Sequence, residues 1–289
     1  MKIIKEFCQS IKQRHAFIYC GSKSEFCINS ALEFSRILKK DCHFNCKIIV
    51  NQSSLINEFE KYLENSFKDV SYLDFIFYYI GESQHNKNNN NNSIEFIIEN
   101  PNREQCSFNK IIDLIDKKEK DLQSSLLKHE CYITFRKLYI LDLNTSNDGI
   151  NPIESLSRLF KNQQQEFYTP KMGFNSGILY SPIIGDHSIR VLNQMELSSF
   201  TSILIERITS KSSLGRRLLD VADVMEYELF EKFIETHCTN IHIYQELNNL
   251  FKVDLDMESN LKNKFEILFL SSAQIASFIF VERKLNQET

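Results

Sequence analysis

Two periodicities alternate along this chain of 289 residues. Short, nearly continuous apolar runs closed by a polar or glycine turn predict strands, and longer stretches with apolar residues three and four apart predict amphipathic helices. His15-Ala-Phe-Ile-Tyr-Cys20 stops at Gly21, after which Ile28, Ala31, Leu32, Ser35 and Leu38 share one helical face. Cys46-Lys-Ile-Ile-Val50 is a second strand, followed by a helix capped by Ser53 or Ser54 that buries Leu55, Ile56, Phe59 and Leu63. The third strand, residues 73 to 80, is so continuously apolar that both of its faces are expected to be covered.

The Asn-rich run within residues 84–93 has no apolar anchor and reads as a flexible loop insertion, with Ile94 to Ile98 as a short strand after it. Ile111, Ile112, Leu114, Ile115, Leu122 and Leu126 mark a further helix, and Lys137 to Leu143 the fourth core strand. Asn151-Pro-Ile-Glu154 carries helix-start signals, with Ile153, Leu156, Leu159 and Phe160 as the apolar face. Gly177 to Ser181 is a fifth strand, helices follow over Ser199–Ile208 and about Val221–His237, and residues 265–282 hold one or two terminal strands. Strands separated by helices predict an α/β fold: one domain over residues 1–289, with a mainly parallel central sheet and helices on both faces.

Composition narrows the function classes. A hydrophobic content of 42% with 12% aromatics supplies a buried core, and a net charge of −4 without a basic stripe gives no electrostatic footprint for nucleic acid. The charged opening Met-Lys-Ile-Ile-Lys-Glu lacks the apolar stretch of a signal peptide, and Phe265 to Val281 is too polar for a membrane span. Eight scattered cysteines show no disulfide framework, so a soluble protein of the reducing cytoplasm is expected. Cys42-His-x-x-Cys46 and His237-Cys238 with His242 have no second half of a zinc site, and Gly21-Ser-Lys-Ser24 lacks the leading glycine of a phosphate loop. No metal or cofactor is expected.

Of seven glycines, Gly21, Gly81, Gly149 and Gly185 lie just beyond a predicted strand end. Open parallel sheets place their ligand crevice outside the carboxyl ends of the strands, so these turns locate a site near Gly21, Gly81 and Asp142; the plainer reading is that glycines simply end strands.

On these residues the chain resembles the caspase-like peptidases: metacaspases, paracaspases and caspases. The order of elements up to Asp74-Phe-Ile-Phe-Tyr-Tyr-Ile-Gly81 is similar, and in that family the third strand closes on a Tyr-Phe-Ser-Gly-His-Gly type of motif and the fourth on Asp-x-Cys-x-Ser-Gly. Here Tyr78, Tyr79, Ile80 and Gly81 occupy the first, with Glu82 where the histidine stands and Ser83 where a glycine stands. Asp142, Asn144, Ser146 and Asn147 match the second, with Asn144 in the place of the nucleophilic cysteine. Gly177-Ile-Leu-Tyr-Ser-Pro182 resembles the strand after the active-site loop, and Ser199-Phe-Thr201 the family's Gly-x-Phe-Thr helix opening, so the resemblance spans about residues 12–245.

The resemblance implies a three-layer caspase-like fold and a thiolate mechanism in which a histidine takes or holds the thiol proton. Neither Glu82 nor Asn144 supplies that chemistry, and losing both reagents removes a rate advantage on the order of 10⁶. The expected protein is therefore a pseudopeptidase, a binding or regulatory module whose partner is a protein or peptide: an active homologue, or a second copy through an edge strand. The resemblance places Asp142, Gly81 and Tyr79 in a substrate pocket where Asp142 grips an Arg or Lys; the alternative is a strand-end Asp that is hydrogen-bonded locally.

Two other readings remain open. An active peptidase with non-standard residues would draw on His85, Thr145 or Ser146, whose plainer roles are a surface imidazole and turn or cap hydroxyls; Cys131 precedes the fourth strand and reads as a core or helix-end thiol. Leu141-Asp-Leu-Asn144 also resembles a haloacid-dehalogenase-type phosphatase strand, with Asp142 as nucleophile and Glu82 and Asp148 completing a Mg²⁺ site, although that family opens with this strand.

Overall fold

The computed structural model describes residues 12–50, 54–67, 70–87, 94–99, 105–127, 133–144, 176–180, 189–209 and 270–271. Its central sheet is built from β1 (Lys12–Cys20), β2 (Asn45–Val50), β3 (Tyr72–Lys87), β6 (Thr134–Asn144) and β7 (Ser176–Tyr180). These run parallel in the order β2-β1-β3-β6-β7, and β10 (Leu270–Ser271) adds antiparallel to β7. The chain direction reverses across the sheet between β1 and β3, the topological switch at which open α/β sheets form their crevice.

Strand periodicity explains the layers. In β1, β3 and β6 successive side chains point to opposite faces, and both faces are apolar. Ala16, Ile18, Cys20, Ile76, Tyr78, Ile80, Leu138 and Ile140 pack under α1 (Glu25–Lys40) and α4 (Ser199–Thr209). Phe17, Tyr19, Phe75, Phe77, Tyr79, Phe135 and Tyr139 pack under α2 (Leu55–Asn65) and α3 (Phe108–Leu127). One layer is therefore mostly aliphatic and the other aromatic, with Phe17 on Phe59 at 4.8 Å and Phe108 on Tyr139 at 5.5 Å in edge-to-face contacts.

The helices follow their local signals. Ser54 caps α2, its Oγ accepting from the Asn57 N–H, and Leu55, Phe59 and Leu63 are buried. In α1 the inward stripe is Cys27, Ala31, Phe34, Ile37 and Leu38, so Leu32, expected on the inner face, is 48% exposed. Phe34 seats its ring 4.7 Å from Tyr78 within that stripe, and Leu32 lies outside it. Lys137 is fully buried and holds α3 to β6, its Nζ donating to Asp116 Oδ1 at 2.7 Å and Glu119 Oε2 at 2.6 Å.

Three features differ from the sequence reading. The expected loop over 84–93 begins as strand: Gln84 to Lys87 continue β3 and pair antiparallel with β4 (Ile94–Glu99), the short strand expected there. Paired backbone groups hold this stretch in place of apolar anchors. β5 (Gln105–Ser107), which pairs with β4, was not foreseen, nor was the hairpin of β8 (Ile189–Leu192) and β9 (Met195–Ser198). The hairpin turns through Asn193 and Gln194 at φ 51° and 68°, the two-residue geometry that matches strand twist, without the glycine that usually announces it. The helices expected after Asn151 and over Val221–His237 lie outside the described residues, as do Gly149 and Gly185.

Candidate functional site

β1 and β6 end at one edge of the sheet, where β3 runs on to pair with β4. The Gly21 N–H donates to Ile80 O at 2.8 Å, extending the β1–β3 ladder by one bond, and Gly81 follows at φ 154°. A Cβ on Gly81 would stand 2.8 Å from the Tyr79 hydroxyl and 3.0 Å from both the Cα and the carbonyl carbon of Gly21, so any other residue at this crossing of two backbones is strained. Tyr79 is fully buried, stacked on Tyr19 at 6.2 Å, and its hydroxyl donates to the Glu82 carbonyl. Its hydroxyl thus fixes the backbone that carries Glu82.

Glu82 is exposed, and it pairs in register with Asn144 across the parallel β3 and β6. The two positions that the resemblance assigns to base and nucleophile are thus neighbours, the last register pair of the parallel β3–β6 ladder. His85 lies three positions further along β3, in register with Phe96 of β4. Thr145 and Ser146 lie outside the described residues, as do Cys131 and Asp148.

Asp142, opposite Ile80, is fully buried. Its Oδ2 accepts from the Thr201 hydroxyl at 2.6 Å and from the Ser198 hydroxyl. The Thr201 Oγ1 lies 2.6 Å from the Tyr78 hydroxyl, and the Thr201 N–H donates to Ser198 Oγ at 3.0 Å. Ser30 of α1 completes the set, its Oγ accepting from the Ser198 N–H at 2.9 Å while donating to Phe26 O. A buried carboxylate is tolerable only where donors surround it, and here one network joins β3, β6, the β9–α4 junction and α1. The Ser199-Phe-Thr201 motif pointed to this helix opening; Ser198 and Ser30 had no local signal, because only packing brings them to Asp142.

Cys20, Cys27 and Cys46 are held as thiols. Cys20 donates to Ser22 O at 3.2 Å and burial pushes its thiol up to about 11; burial likewise raises Cys46 to about 11 and carries Cys27 higher. Among the described residues no three His, Cys, Asp or Glu side chains converge as metal ligands, and no helix is long and apolar enough to cross a membrane.

The opposite edge carries a charge cluster that the sequence reading missed. Arg14, Asp74 and Arg136 are register neighbours on β1, β3 and β6, with Arg14 Nε 3.3 Å and Arg136 Nε 2.7 Å from the fully buried Asp74 carboxylate. Arg14 also donates to Cys42 O at 2.6 Å and covers the Phe44 ring at 4.1 Å.

The fold is a doubly wound α/β domain in which Glu82 and Asn144, a carboxylate and an amide, form the last register pair of the parallel β3–β6 ladder. No protein-family model matches the chain, and no curated protein matches it. Solved structures do: one described as pro-sf-caspase-1, at 12% identity and TM-score 0.48 over 78% of this chain and 83% of that one. Caspase-1 from Spodoptera frugiperda aligns at 16% identity and TM-score 0.46, covering 78% of this chain and 79% of its own. These likenesses concern the course of the chain and assign no role to any residue.

Proposed function

We propose that this chain is a caspase-like pseudopeptidase, a protein- or peptide-binding module that does not cut. The reading rests on the register pairing of Glu82 with Asn144 at the last step of the parallel β3–β6 ladder. A caspase-type reaction needs a thiolate there and an imidazole beside it, whereas an amide nitrogen is no nucleophile and a solvated carboxylate does not make it one. The raised thiols of Cys20, Cys27 and Cys46 supply no substitute. The partner is a protein or peptide segment, an active homologue or a second copy meeting an edge strand. A pocket for a basic side chain at Asp142 is not part of the proposal, since that carboxylate is buried on Ser198 and Thr201; the same burial gives an Asp142 phosphatase nucleophile no support.

The test is turnover. Purified full-length protein incubated with Arg-, Lys- and Asp-containing fluorogenic peptides, with and without Ca²⁺, should release no more fluorophore than its Asn144→Ala variant. Turnover that Asn144→Ala abolishes would refute the proposal, and labelling by an electrophilic peptide probe would then map the reacting group.

A further inference from the structure

Resting on that reading of the edge, we propose that Asp142 is a positioning residue, sealed by Ser198 and Thr201, which docks the β9–α4 junction on the sheet and bars a cationic partner side chain from this position. The geometry makes the two roles exclusive. A guanidinium or ammonium gripped by a carboxylate must reach at least one of its oxygens at hydrogen-bond distance. Asp142 Oδ2 already accepts from two hydroxyls, and the side chain is 0% exposed beneath them.

The hydroxyls are not free to leave. Ser198 is tied through its N–H to Ser30 and through its Oγ to the Thr201 N–H, and Thr201 meets the Tyr78 hydroxyl. Ser198 and Thr201 are themselves fully buried, so admitting a cation would require α4 to lift and leave several buried polar groups without partners. The neighbouring β8–β9 hairpin ends in Ser198, so its attachment to the site edge depends on the same carboxylate. Selectivity at this edge therefore excludes an Arg or Lys seated on Asp142.

The experiment joins a ligand measurement to a mutational cycle on the full chain. Agmatine serves as the guanidinium probe, with the melting temperature and titration calorimetry as readouts, for wild type, Asp142→Asn, Thr201→Val and Asp142→Asn/Thr201→Val. The expected results are no agmatine-induced rise in melting temperature that depends on Asp142, and a double variant that melts no lower than the worse single one, because both substitutions break the same contact. If Asp142→Asn does not fold, Ser198→Ala and Ser198→Ala/Thr201→Val provide the cycle. Additive losses would overturn the clamp. Agmatine binding to wild type that Asp142→Asn or the clamp variants change tenfold would overturn the exclusion. Because agmatine is not a peptide substrate, either failure leaves the turnover result standing, and turnover would leave the clamp result readable.

Discussion

Replacing Gly81 with alanine tests how rigidly the site edge is built. The new Cβ would enter a space bounded by the Tyr79 hydroxyl at 2.8 Å and the Gly21 backbone at 3.0 Å, on a residue whose φ is 154°. Backbone strain of this kind costs about 1–3 kcal/mol, and forcing a methyl group into a packed site costs about 1–3 kcal/mol more. Relief through Gly21 is blocked, because moving it away breaks the 2.8 Å bond from its N–H to Ile80 O and opens the β1–β3 ladder. Relief through Tyr79 is also limited, since its hydroxyl is engaged by the Glu82 carbonyl and its ring is stacked on Tyr19. Urea unfolding followed by circular dichroism should show Gly81→Ala losing about 2–6 kcal/mol, the sum of those two costs, with an unchanged m-value. Gly81→Ala/Tyr79→Phe removes the hydroxyl contact but keeps the Gly21 clash, so it should recover less than half of the loss. A Gly81→Ala protein within about 0.5 kcal/mol of wild type would refute the reasoning.

Three further outcomes follow from the same structure. Asp74→Ala leaves two arginines facing each other at the amino ends of the strands and should cost about 3–5 kcal/mol in urea unfolding, whereas replacing Arg14, Asp74 and Arg136 together with leucine should cost less. Burial lowers the His15 imidazole to about 4 in a setting where it meets the Tyr62 hydroxyl at 3.1 Å and Gln13 Oε1 at 3.0 Å. The unfolded chain then binds the extra proton between the ordinary histidine value and about 4, so this contribution is whole above that ordinary value and is lost as pH falls through about 4. Allowing for solvent screening, wild type should lose about 1–2 kcal/mol more than His15→Gln between about pH 7 and pH 4.5, read from urea midpoints at each pH. Finally, iodoacetamide at about pH 8 should leave Cys20, Cys27 and Cys42 unmodified in the native protein and alkylate them after denaturation, as peptide mapping would show; native labelling of Cys20 would contradict its burial and raised thiol value.

The sequence by itself determined the elements whose signal is local. The nearly continuous apolar run of β3 required cover on both faces, and the Ser54 cap with its Leu55, Phe59 and Leu63 stripe placed α2, because residues adjacent in the chain carry these patterns. The tertiary structure decided how polar residues are partnered, since partners arrive from distant segments. It set Glu82 against Asn144 and closed Asp142 under Ser198 and Thr201. It lined up Arg14, Asp74 and Arg136, left Leu32 on the outer side of its helix, and made strand of residues 84–87 by pairing them with β4. Hydrophobic periodicity records which face of an element is buried; a buried carboxylate takes whichever donors the folded chain brings to it, and no spacing along the chain states which those are.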